Sequence, residues 1–186
     1  YPILGGSDLF ELLVSGADYY YRSSVGEIGQ KLKAGVYVEF SNREASHLGL
    51  PLPKGVVRVY KRDSAGNAQF VGEDRIDHTP KNETVRLHLG YAFDVTADKK
   101  QTDFKRRDTY SPWSYVHESA YELVLKNAKK EPVTVIVKEN LYRWVNWQIT
   151  AKTHDFEKQD ARTVHFPVKL AAGGEATVRY TVYYSW

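Results

Sequence analysis

The chain contains no cysteine and no methionine among its 186 residues. Without Cys, disulfide scaffolds, thiolate nucleophiles, Cys-ligated zinc and iron–sulfur clusters are excluded, and only His, Asp and Glu remain to hold a metal. A start at Tyr1 with no Met anywhere reads as a processed or excised piece of a longer protein. No apolar run approaches the ~18 residues of a membrane span, so no transmembrane segment is expected, and the first residues lack the basic and apolar halves of a signal peptide. Charge of one sign is not in excess: 26 Lys and Arg stand against 23 Asp and Glu. That balance lacks the basic surplus that drives phosphate binding, and nucleic acid is not expected as a partner. Apolar residues at 42 % and charged residues at 26 % are ordinary globular proportions.

A sustained helical stripe is also missing, and alternation at period two takes its place. Val36, Val38 and Phe40 alternate with Tyr37 and Glu39, and Val57 and Val59 alternate with Arg58 and Tyr60. Val85, Leu87 and Leu89 share a face, and Phe93–Ala97 alternates as well. The turn-rich residues 63–67 predict a hairpin between Gly55–Lys61 and Ala68–Glu73. Residues 127–131 predict a second hairpin, between Ser119–Leu125 and Pro132–Glu139. Residues 172–175 predict a third, between Thr163–Leu170 and Ala176–Tyr184. Ten or so short strands separated by turn signals indicate an all-β fold, an antiparallel β-sandwich, either immunoglobulin-like or two packed β subdomains. Residues 1–34 stay poorly assigned, 35–186 form the β-sandwich domain, and a charged, apolar-poor stretch at 99–112 is an internal seam if two subdomains exist. The charges of Lys99–Arg107, interleaved with Asp98, Asp103 and Asp108, read as a solvated strand edge.

Chemistry-bearing motifs are sparse. The six histidines show no metal-ligand spacing, and His88 and His165 read as ordinary strand residues, so no metal and no cofactor is expected. There is no nucleophile elbow, phosphate loop or dinucleotide fingerprint. Carboxylate pairs such as Glu118 with Glu122, or Asp155 with Glu157, are too common in the chain to point to a glycosidase. Asp74, Asp77 and His78 crowd into one segment before Pro80. Adjacent strand residues point to opposite faces, so Asp77 and His78 cooperate as acid and base only from a turn, and a turn capped by side-chain hydrogen bonds is the stronger reading. Aromatics are the distinctive presence: 14 Tyr, 7 Phe and 4 Trp. Their densest knot is Tyr142, Arg143, Trp144, Asn146 and Trp147, which suits sugar-ring stacking or a protein partner's hot spot if exposed, and core plugging if buried. Tyr19, Tyr20 and Tyr21 form a second such cluster.

The strings Gly49–Tyr60 and Phe70–Pro80, then Leu87–Val95, Gln101–Phe104, Leu125–Asn127, Glu131–Val135, and Trp144 with Trp147, carry a resemblance. Over about Val36–Trp186 the chain resembles the bacterial domain-of-unknown-function family at the C-terminal end of mucoidy-inhibitor-A-like proteins. The resemblance implies an exported envelope protein in which a β-rich domain follows an N-terminal β domain and a helical, coiled-coil-like segment. It implies an extracytoplasmic location, periplasmic or secreted, and hints at exopolysaccharide biology; the family has no established activity and assigns no residue a role. The expectation is therefore a non-catalytic, extracytoplasmic interaction or structural module of a larger envelope protein, its partner an unknown protein or an envelope polysaccharide. Two alternatives stand beside it: a carbohydrate-binding module using Tyr142, Trp144 and Trp147, and a hydrolase centred on Asp77 and His78.

Overall fold

A computed structural model describes residues 7–13, 25–108, 115–141, 143 and 146–185. The fold is all-β, as the alternation predicts, and among the described residues the one helical element is the single 3-10 turn Glu44–Ser46. The strands are β1 (Ser7–Leu13), β2 (Gly26–Ser41), β3 (Gly55–Arg62), β4 (Ala68–Ile76), β5 (Thr84–Asp108), β6 (Tyr115–Asn127), β7 (Val133–Asn140), β8 (Trp147–Lys152), β9 (Glu157–Lys158), β10 (Thr163–Leu170) and β11 (Glu175–Ser185). Nine of them are hydrogen-bonded in the order β8-β11-β6-β5-β2-β1-β7-β10-β9, and β3 and β4 form a separate pair. The chain divides into two compact units: Gly35–Tyr91 with the chain through Phe10, and Glu11–Ala34 with Ala92–Trp186. The long strands β2 and β5 contribute one stretch to each. The division therefore falls at 34/35 and 91/92, and residues 99–108 of the expected seam are the continuous second half of β5. Phe93–Ala97 likewise belongs to β5.

The first unit contains the hairpin predicted at 63–67. β3 and β4 pair antiparallel with Arg62 opposite Ala68. The Asp63 carboxylate accepts the Asn67 and Ala65 N–H groups at 2.9 Å and the Gln69 amide at 3.2 Å, and these bonds, that from Asn67 first, hold it below the usual carboxylate range. Phe40, Val85 and Leu87 are buried, with Leu48, Leu52, Val57, Val59, Ile76 and Leu89 packed against them. Glycine is required where backbones approach: a Cβ on Gly72 would sit 3.0 Å from the Leu89 carbonyl oxygen. Asn42, fully buried, ties the unit's loops together. Its Nδ2 donates to the Leu50 and Pro80 carbonyls at 2.8 and 2.9 Å, and its Oδ1 accepts the Gly49 N–H at 3.0 Å.

In the second unit β6 pairs antiparallel with β5 and β11, and β10 with β7 and β9. The hairpins expected at 127–131 and 172–175 are not hairpins. β6 and β7 are not neighbours in the sheet order, nor are β10 and β11. Both connections are arches, and they are stitched to each other instead of closing ladders. The buried Asn127 donates from Nδ2 to the Glu131 and Ala171 carbonyls at 3.0 and 2.8 Å and accepts the Lys129 N–H at Oδ1. Backbone bonds from Asn127 to Gly174 and from Gly173 to Lys129 complete the seam. With the arches joined, the inward rows Val133, Val135 and Val137 of β7 and Val164, Phe166 and Val168 of β10 are fully or almost fully buried, as are Leu123, Leu125 and Val178 of β6 and β11.

Candidate functional site

The interior of the second unit becomes polar in steps as β5, β6 and β11 are followed from Asn127 back toward Tyr115. Directly paired residues on neighbouring strands share a face of the sheet, so each cross-strand rung can be read as a layer. Lys99, Leu123 and Val178 form one rung; Gln101, Tyr121 and Tyr180 the next. A bulge between Gln101 and Asp103 then shifts the register, so that Phe104, Ser119 and Val182 line up, joined by Ile149 of β8. The last rung is Arg106, His117, Tyr184 and Trp147.

At the deepest polar level Lys99, 1 % exposed, reaches Glu139, 2 % exposed, with Nζ 2.6 Å from Oε2. The same ammonium donates to the Tyr180 hydroxyl at 3.1 Å and lies 5.0 Å from the centroid of the Tyr121 ring. Removal from water pushes the Lys99 amine below its ordinary value against the pull of Glu139. Burial, followed by the Glu139 carboxylate, holds the Tyr180 phenol well above its ordinary value. Beside this pair, Gln101 and Ser119 are almost wholly buried, and among the described residues neither end of the Gln101 amide, nor the Ser119 hydroxyl, nor Glu139 Oε1 meets a hydrogen-bond partner.

At the outer rung Arg143 donates from Nη1 to His117 Nδ1 at 3.2 Å and stands over the Phe104 ring at 5.2 Å. Because a guanidinium offers only donors, His117 Nδ1 is unprotonated and the ring is neutral with its hydrogen on Nε2. Burial first, then the Arg143 and Arg106 charges, lower the His117 pKa, which agrees with that tautomer. Trp147 is half-buried: its indole N–H donates to the Ala161 carbonyl at 2.8 Å, and Lys158 Nζ lies 4.9 Å from its ring. Asn146 is exposed, and its carbonyl accepts the Ser185 N–H at 3.1 Å. The structure thus sets Arg143 on His117, in the middle of the rung that Trp147 ends beyond Tyr184, a relation the local sequence knot did not contain. Tyr142, Trp144 and the cluster Tyr19–Tyr21 lie outside the described residues.

The other expected site does not converge. The Asp74 carboxylate accepts the His88 N–H at 2.7 Å through one oxygen and the Arg75 N–H at 2.7 Å through the other, tying β4 to β5. Asp77 and His78 are both exposed: the Asp77 carbonyl accepts the Thr79 hydroxyl, and His78 Nδ1 accepts the Lys54 N–H at 3.4 Å. They line separate hollows, Asp77 with Lys54, Gly55, Arg75 and Ile76, and His78 with Pro51–Pro53, Thr79 and Pro80. The segment is the end of β4 followed by residues that run on to Thr79, which bridges Leu52. Among the described residues no three His, Asp or Glu side chains are grouped to hold a metal ion, and no helix is long and apolar enough to cross a membrane.

Lys99, Glu139 and Tyr180 are site residues that motif reasoning missed. The signal was nevertheless present: the inward row Val95, Ala97 extends by twos to Lys99 and Gln101, and Val133, Val135, Val137 extends to Glu139. Comparison with protein-family models, with curated proteins and with solved structures finds no match.

Proposed function

We propose that this chain is a non-catalytic, extracytoplasmic β module of a larger envelope protein, and that it binds an acidic envelope polysaccharide at the outer rung of its second unit. The observation that carries the reading is the rung itself. Two guanidinium groups, Arg106 and Arg143, stand at a neutral His117, with the Phe104 ring under Arg143, and the half-buried Trp147 ends the same rung two strands from His117, beyond Tyr184. Cationic forks next to aromatic faces suit carboxylate-bearing sugars, whose charges pair with Arg and whose C–H faces rest on rings. A strand-borne site of this kind needs no nucleophile or metal. The resemblance to an envelope family with a link to exopolysaccharide supports the same class of ligand. The separate structural engagements of Asp74, Asp77 and His78 favour a binding role over hydrolysis.

Tryptophan fluorescence of the purified chain, titrated with a polyuronate such as alginate, tests the reading. Saturable quenching is expected, weakened at least tenfold in Arg143→Ala and in Trp147→Phe with circular dichroism unchanged. A flat titration, or quenching indifferent to both substitutions, overturns the polysaccharide reading and returns a protein partner as the ligand to seek.

A further inference from the structure

We propose that the outer edge of β3 is a docking strand for an extended acidic peptide, which adds to the β3–β4 pair as a third strand. β3 is hydrogen-bonded to β4 on one side, and among the described residues it has no strand on the other, so alternate N–H and C=O groups along Gly55–Arg62 carry no ladder. The edge is long and regular: eight residues span about 27 Å, with no proline among them. The register shifts where Val59 faces Gly72 and Tyr60 faces Phe70, so the extra residue of the bulge is Val71, on β4. Edge strands are blunted by shortness, proline, a bulge or charge, and β3 carries only the charge.

That charge, and the side chains beside it, define the guest. Directly paired residues share a face, so Val56, Arg58, Tyr60 and Arg62 stand with Glu73 and Phe70 on the side opposite Val57 and Val59, which pack on the core. This face is open: Val56 is 47 % exposed, Tyr60 55 % and Phe70 57 %, and the two rings meet edge to face at 5.6 Å. The carboxylates of the hairpin are engaged. Glu73 pairs with Arg58 at 3.0 Å, Asp63 accepts N–H groups of its own turn, and Asp74 accepts those of Arg75 and His88. Among the described residues that leaves Lys61, Arg62 and Arg75 without a carboxylate. A second copy's β3 would set Arg58, Lys61 and Arg62 against the same three cations, which disfavours self-pairing. A strand with acids across from Arg58 and Arg62 and apolar side chains across from Val56 and Tyr60 complements the charge and covers the rings. Its main chain meanwhile completes the ladder, so that backbone bonds supply affinity and alternate side chains supply selectivity. A polyuronate carries the charge without a peptide ladder. The surface lies in the first unit and does not rest on the outer-rung reading.

Fluorescence anisotropy of a labelled octapeptide, Glu-Glu-Val-Thr-Glu-Thr-Val-Thr, titrated with the whole chain at physiological salt tests it. Antiparallel to β3, this probe sets Glu across from Arg62, Lys61 and Arg58 and Val across from Tyr60 and Val56. Saturable binding is expected, weakened at least tenfold when proline replaces each threonine of the probe, which keeps every charge and removes ladder donors. The same loss is expected in Arg62→Glu and in Tyr60→Ser with circular dichroism unchanged, and the proline probe keeps the test decisive if either variant fails to fold. Absence of saturable binding, or equal binding of the proline probe, overturns the docking strand. Displacement of the probe by alginate as readily as by unlabelled peptide assigns the surface to polyanions in general and overturns it as well. A Trp147 indole unresponsive to alginate, beside intact peptide binding, would remove the outer rung and leave the docking strand standing.

Discussion

Lys99 and Glu139, forty residues apart, meet at 2.6 Å inside the second unit with almost no exposure to solvent. Neither charge is affordable in that interior without the other, because desolvation of a lone ion costs several kcal/mol. Lys99→Met should therefore cost about 3–5 kcal/mol by leaving a buried carboxylate. The double variant Lys99→Met with Glu139→Leu should recover most of that loss, and denaturant melts of the two variants provide the comparison. Equal destabilisation by the single and double variants would show that the pair is not coupled.

Tyr180 gives the alkaline limb of stability its shape. Its folded pKa lies well above the unfolded value near 10, so the contribution is fully present below pH ~10 and is lost as the pH rises through and beyond that value, where the unfolded chain ionises and the fold does not. Thermal melts between pH 9 and 11 should fall less steeply for Tyr180→Phe than for the native chain.

His117 has the opposite sense. Burial and the nearby guanidiniums depress its pKa below 6.5, so stability drops as the pH falls from about 6.5 toward the folded pKa, across the interval where only the unfolded chain takes up the proton. In Arg143→Ala the His117 titration midpoint, followed by NMR, should move upward. An unchanged midpoint would place the Arg143 guanidinium away from the ring.

Each unit depends on one buried asparagine. Asn127 makes three side-chain hydrogen bonds, two within its own arch and one across to Ala171 of the other, and Asn42 makes three that gather the loops of the first unit. Asn127→Ala strands two carbonyls and an amide, and at ~1 kcal/mol per bond the loss should be roughly 2–4 kcal/mol. Asn42→Ala should cost a similar amount. Urea denaturation measures both.

These asparagines show where sequence reading stopped. The β3–β4 hairpin was legible because residues 63–67 carry both the turn chemistry and the alternation that closes a ladder. Residues 127–131 and 172–175 carry the same turn chemistry, yet a local loop does not encode whether its flanking strands pair with each other or with distant ones. Pairing is settled by burial of whole strand faces, and Asn127 looks like any turn residue until both arches are present. The polar layer was illegible for a related reason. Lys99 sits in a run of charges typical of a solvated edge, and only the continued period of two from Val95 and Ala97 places it with Gln101 indoors. Arg143 and Trp147 were read as a local aromatic knot, whereas the structure relates them through His117 and Tyr184 on two other strands.

Ligand recognition is proposed at the outer rung of the second unit. The most direct test is a 15N-resolved NMR titration with a uronate oligosaccharide, following the Trp147 indole N–H and the Arg143 side-chain N–H. Saturable shifts of both, with Tyr60 and Phe70 of the exposed β3–β4 face unmoved, are the predicted result. Shifts confined to Tyr60 and Phe70, or no shift at all, would contradict it.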